Sequence, residues 1–181
     1  MIHISEKANT QVIICDKREH LNTRIATMAL HNATEIANWF IAKAAESGDH
    51  LTHLKVQKLL YYAEAWTEVI TGNELFSEQM QAWAHGPVVP EVFHEFKVHG
   101  WNTLPVPQEQ EVPKVAKEVV DVLNQVYDAY GELPAKTLEA MTHKDEPWIA
   151  ARGDIEPEAR CETVIPKVAI KEYFEQKYSE K

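Results

Sequence analysis

The chain has 181 residues, 45% of them apolar and 25% charged, with a net charge of −10; these are globular proportions rather than those of a disordered or membrane chain. No apolar run approaches the roughly 20 residues that span a bilayer. The start, Met1-Ile2-His3-Ile4-Ser5-Glu6-Lys7, has neither the basic residues nor the apolar stretch of a secretion signal, so the expected location is cytoplasmic.

The charge is unevenly divided. Residues 1–31 hold four Lys/Arg and three Asp/Glu, whereas residues 32–181 hold 14 and 25, so the body carries −11. Backbone recognition of nucleic acid needs basic patches, and the small groupings Lys17-Arg18 and Lys55/Lys58 disfavour direct nucleic-acid binding. An acidic body suits basic protein partners. Cys15 and Cys161 are far apart and outside any CxxC, which predicts reduced structural thiols. Neither cysteine has the neighbouring ligands that a structural zinc site needs.

Before Asn32, Val12-Ile13-Ile14-Cys15 suits a short strand, and Met28 is a second candidate start that would make residues 1–27 an extension. Asn32 and Glu35 form a capping-box pattern ahead of a helix whose inner side holds Ile36, Phe40 and Ile41, with Ser47-Gly48 as its stop. Thr52 caps a second helix between the staple pair Leu51 and Val56. This helix is expected to reach Thr71, with Gly72 as the stop. Its Leu59, Leu60, Ala63, Trp66 and Ile70 point inward, while Lys55, Lys58, Glu64 and Glu68 are expected on a solvated face. Met80-Gln81-Ala82-Trp83-Ala84 suits a small strand that turns Trp83 into the body, and Gly86-Pro87 turns the chain.

Pro90 opens a helix with Val92, Phe93 and Phe96 on its apolar side, ended by Gly100. Residues 101–112, with Pro105 and Pro107, are expected as a surface loop. Pro113 is expected to start a helix carrying Val115, Val119, Val122, Leu123 and Val126, ended by Gly131. A short helix at Ala135–Thr142, a single turn at Pro147–Ala150 and a loop over 152–163 follow. Pro166 starts a last helix with Val168, Ile170, Tyr173 and Phe174 as anchors. The sum is an all-α fold: a compact single helical domain over 32–181 with room for one small β-hairpin, plus an N-terminal extension over 1–31.

His143-Lys144-Asp145-Glu146-Pro147-Trp148 is the densest group of acid–base side chains, but no serine or cysteine stands near it in sequence. The expected arrangement is a loop network in which His143 bonds to a carboxylate and Trp148 packs. An enzyme with a site around His143, Asp145 and Glu146 is the rival reading. A cavity joining these residues to His85 or to a distant nucleophile would favour it, and separated, packed side chains would count against it. No phosphate-binding GxxxxGK[ST] and no HExxH occurs, and no cofactor is implied.

Three ordered segments carry a family resemblance. Leu54-Lys55-Val56-Gln57-Lys58-Leu59-Leu60-Tyr61-Tyr62-Ala63, then Ala82-Trp83-Ala84-His85-Gly86-Pro87-Val88, then His143 with Pro147-Trp148, resemble the Panacea antitoxin family. That family includes SocA-like antitoxins and phage-associated GepA-like proteins. The resemblance covers about residues 32–177 and assigns Lys55, Gln57, Lys58, Tyr61, Tyr62, Trp83, Gly86, Pro87, Val88, His143, Pro147 and Trp148 to its motifs. It implies a non-enzymatic antitoxin that binds a cognate toxin encoded by an adjacent gene. The SocA-like branch also resembles an adaptor delivering a client to a cytoplasmic ATP-dependent protease, and an antitoxin can repress its own operon. Ile13, Trp101 and Trp148 are the expected toxin contacts, with residues 1–31 as a partner-binding addition.

Overall fold

The computed structural model describes residues 30–179, in which seven α-helices, one of them central, are joined by a three-stranded sheet that closes one side. Helix α1 is Ala33–Glu46 and begins with the expected capping box, Asn32 Oδ1 accepting from Glu35 N while Glu35 Oε2 accepts from Asn32 N, each at 3.0 Å. Helix α2, His53–Thr71, is capped by Thr52 and stopped by Gly72 at φ +74°. Leu51 and Val56 are fully buried around that cap, as a hydrophobic staple requires.

Helix α2 is the axis of the molecule. Every residue from Val56 to Thr67 is buried, so this helix has no solvated face along its middle turns. An all-round buried helix needs partners on all sides, and it has them in α1, in α4 (Lys117–Tyr130), in α5 (Ala135–Thr142) and in α7 (Lys167–Ser179). Aromatic rings fill the joints. Tyr62 stacks on Tyr130 at 4.0 Å between centroids, and Phe174 of α7 meets Tyr61, Tyr62 and Trp66 edge-on at 5.3 to 6.0 Å.

The expected solvated carboxylate–lysine face is therefore corrected. Lys58 and Glu64 are both 0% exposed, because α5 and the sheet cover the first and α7 covers the second. Glu64 accepts from the amides of Leu75 and Phe76 at 3.1 and 3.2 Å and pairs with Lys167 Nζ at 2.9 Å. Lys55 is mostly covered and reaches Asp49 at 3.4 Å, and Glu68 is half-buried.

The sheet has the order β2-β1-β3, with β1 at Met80–Trp83, β2 at Gly86–Val88 and β3 at Val164–Ile165. Both pairings are antiparallel, Trp83 facing Gly86 and Met80 facing Ile165. The hairpin was expected; β3 was not, since its two residues adjoin a stretch that reads as loop. Alternation along β1 buries Met80 and Ala82, which places Trp83 on the other, half-buried face rather than in the body.

Helix α3 is Pro90–Phe96, and α6 is Glu146–Arg152, two turns rather than one. Helix α4 starts at Lys117, not Pro113, because Ala116 is extended at φ −60° and ψ 146° and serves as its N-cap. Leu104 anchors the 101–112 loop, its amide bonded to Leu51 O at 2.8 Å and its side chain 2% exposed. Val168 of α7 is 58% exposed, so Ile170 and Phe174 anchor that helix without it. Ile13, Cys15 and the proposed strand near them lie outside the described residues.

Candidate functional site

Two adjacent residues of α2 hold the second strand of the hairpin by its backbone. Gln57 Oε1 accepts from Val89 N at 2.8 Å, and Gln57 Nε2 donates to Val89 O at 3.3 Å. Lys58 Nζ donates to Pro87 O at 3.0 Å from a fully buried position. Burial pushes that amine down to about 7, with nearby Glu139 opposing and Lys136 adding to the fall. Gly86 turns the hairpin at φ +93°, and a Cβ there would lie 2.6 Å from Thr142 Oγ1 and 2.7 Å from Lys58 Nζ. Only a glycine lets the strand settle on α2 and α5 in this way.

The His-to-Pro-Trp segment braces the same hairpin from the side. Trp148 Nε1 donates to Trp83 O at 3.0 Å, and its ring stacks on His143 at 4.3 Å. Arg152, 4% exposed, lies 5.0 Å from the Trp148 ring and donates Nη1 to Ala82 O at 2.8 Å. Its Nη2 holds the carbonyls of Pro157 and Ala159 at 3.0 and 2.9 Å, together with that of Glu156. One buried guanidinium thus fastens the loop after α6 to β1. Arg152→Met should release that loop, measured as faster tryptic cleavage at exposed Arg160 under native conditions; unchanged cleavage would refute the fastening role.

Against the anticipated network, His143 makes its ring contact with Trp148 rather than a bond to a carboxylate; burial lowers its pKa, with Glu139 opposing. His85 takes the carboxylate instead, Nδ1 to Glu139 Oε1 at 3.1 Å, while Lys136 holds Glu139 Oε2 at 2.8 Å. Burial raises the Glu139 carboxyl, but the Lys136 and His85 hydrogen bonds outweigh it and leave it below its usual range. Asp145 turns to α7, accepting from Tyr173 Oη at 2.8 Å with Lys177 Nζ at 3.5 Å. His85 also lines a cleft whose walls do not include His143, Asp145 or Glu146.

Above the hairpin lies a cleft of about 550 Å³. Its floor comes from α2, β1 and α3: Trp83 meets Phe93 edge-on at 4.7 Å, and His53 tilts against Phe93 at 5.0 Å. Burial drives His53 down to about 4, with Lys58 adding to the shift, so this ring is neutral at neutral pH. One wall runs from Lys97 to Trp101 and another from Glu158 to Glu162. Trp101 is 74% exposed and Val98 80%, an apolar pair beside the opening.

Gln57, Trp83, His85 and Val88 line this cleft, whereas Lys58, Pro87, His143, Pro147 and Trp148 are not among its lining residues and Tyr61 and Tyr62 pack in the helical core against Phe174 and Tyr130. Trp148 is 6% exposed; of the two tryptophans expected at an interface, Trp101 alone stands out in solvent. Glu139 and Arg152 were not singled out from the sequence, since neither occupies a distinctive spacing. Among the described residues, no cluster of three or more His, Cys, Asp or Glu could hold a metal, and no helix is long and apolar enough to cross a membrane.

A model of the family described as "Antitoxin SocA-like, Panacea domain" matches residues 56–149, which contain the hairpin and most of its supports. Antitoxin SocA of Caulobacter vibrioides (strain NA1000 / CB15N) is 36% identical over 69 residues, covering 38% of this chain and 37% of the relative. The matched part thus spans little more than a third of that protein. No solved structure matches the chain. With more than half of its length matched by the family, this chain belongs to the SocA-like, Panacea-domain family.

Proposed function

We propose that this protein is an antitoxin that neutralises a cognate toxin, the product of an adjacent gene, by direct binding in the cytoplasm. The observation that carries the reading is the family match over residues 56–149, whose side chains form and brace much of one cleft. An exposed indole beside an aromatic floor is the kind of anchor on which protein interfaces concentrate their energy. The acidic body favours encounter with a basic toxin.

Co-expression of each adjacent gene with this protein tests the reading through growth and copurification. Rescue with a stable complex is expected; the absence of both toxicity and complex would reject it. In such a complex Trp101→Ala should weaken affinity about 10- to 100-fold with an unchanged circular dichroism spectrum. Full affinity in that variant would move the contact surface elsewhere.

A further inference from the structure

We propose that the cleft docks a segment of a partner protein through one large apolar side chain, flanked by an acidic residue facing Lys97 and a basic residue facing Glu158. The inference rests on the reading of this chain as a protein-binding antitoxin and assigns the chemistry of the contact.

The floor selects for apolar surface because most of its hydrogen-bonding groups are already engaged. Both ends of the Gln57 amide are taken by the Val89 backbone, Trp83 Nε1 donates to Gln81 Oε1 at 2.8 Å, and His85 Nδ1 is engaged by Glu139. A polar group placed there would lose its water and gain few partners, which disfavours it. The volume suits a large side chain with the backbone that carries it.

The rim selects by charge. Arg160 is committed to Glu162, with Nε and Nη2 at 3.1 and 2.5 Å from the same oxygen. Lys97 and Glu158 are exposed on the two walls, and neither has an ion-pair partner among the described residues. The uncommitted charges are thus one cation and one anion from separate elements, which match an occupant carrying the opposite pair. A polyanion would meet Glu158 and Glu162 and gains no such match.

The test is a random peptide display selected on the full-length protein, followed by titration of the recovered peptides. Expected sequences share a central Leu, Met, Phe or Trp between one acidic and one basic residue. Lys97→Glu and Glu158→Lys should each weaken such a peptide about tenfold, and the double reversal should select peptides with the flanking charges exchanged. Both side chains are solvent-exposed, so folding is retained and is checked by circular dichroism. Recovery of no peptide, equal binding by all variants, or equally tight binding of N-acetyl-leucinamide would overturn the proposal. An adjacent-gene toxin that copurifies but is not displaced by the peptide would overturn the cleft while leaving the antitoxin reading standing. A peptide that binds as expected, with no toxin among the neighbouring genes, would support the cleft and reject the toxin.

Discussion

Gly86→Ala should destabilise the protein by about 3 kcal/mol, seen as a fall of roughly 6–12 °C in Tm. Two costs combine. At φ +93° an alanine is strained by its own backbone, and its Cβ would press to within 2.7 Å of both Thr142 Oγ1 and Lys58 Nζ. The Lys58 amine cannot swing away without giving up Pro87 O, its acceptor at 3.0 Å, and Thr142 is fully buried. Gly72→Ala is the control, with φ +74° but nothing within 4 Å of its Cβ, so only the backbone cost of about 1 kcal/mol remains. Urea denaturation of both variants separates the terms. Equal losses would show that the close approach to Lys58 and Thr142 contributes nothing.

The sequence carried the helices whose signals are local. Asn32 with Glu35, and Leu51 with Thr52 and Val56, mark their helix starts by side chains within four residues, and the structure keeps both. Gly86-Pro87 likewise announced a turn. The burial of Lys58 and Glu64 was not legible, because their spacing on α2 is that of a solvated stripe; what covers them is α5, the sheet and α7, more than 20 residues away in the chain. The same holds for β3, which exists only by pairing with a strand some 80 residues earlier. Family resemblance placed Gln57, Trp83 and Val88 among the motif residues, but not in one cleft. Arg152 shows the limit most plainly: its four acceptors are all backbone carbonyls, and such carbonyls leave no trace in residue type.

Lys58 should make the folded state more stable as pH rises from 7 to 9.5, by about 3 kcal/mol, and Lys58→Met should abolish that rise. In the unfolded chain the amine keeps its model value of 10.5, whereas in the fold burial holds it near 7. Between those values the unfolded state binds the extra proton, so each step up in pH removes a penalty from the folded state. Glu139 and Lys136, the charges nearest the amine, act in opposite directions on it. The window closes near pH 9.5 because Tyr61, Tyr62 and Tyr130 are pushed up by burial, and their ionisation in the unfolded chain lowers stability above about pH 10.

Glu64 works in the reverse sense on the acid side: burial raises it to about 7 against the pull of Lys167, so stability falls as pH rises from 4.5 to 7. His53, neutral in the fold down to about pH 4, offsets part of that fall, since stability is gained as pH rises through the same range. Chemical denaturation at pH 7, 8 and 9.5 isolates the lysine. At pH 7 Lys58→Met should be no less stable than the wild type, because removing a buried amine relieves several kcal/mol while the orphaned Pro87 carbonyl costs about 1–3 kcal/mol. A variant that is less stable at pH 7 and still gains stability towards pH 9.5 would contradict both halves of the argument. If the variant behaves as expected, Lys58 does not serve net stability. Its contribution is then positional: it fixes the Pro87 carbonyl, and with Gln57 on Val89 it sets the height of the hairpin that carries Trp83 and His85 into the cleft.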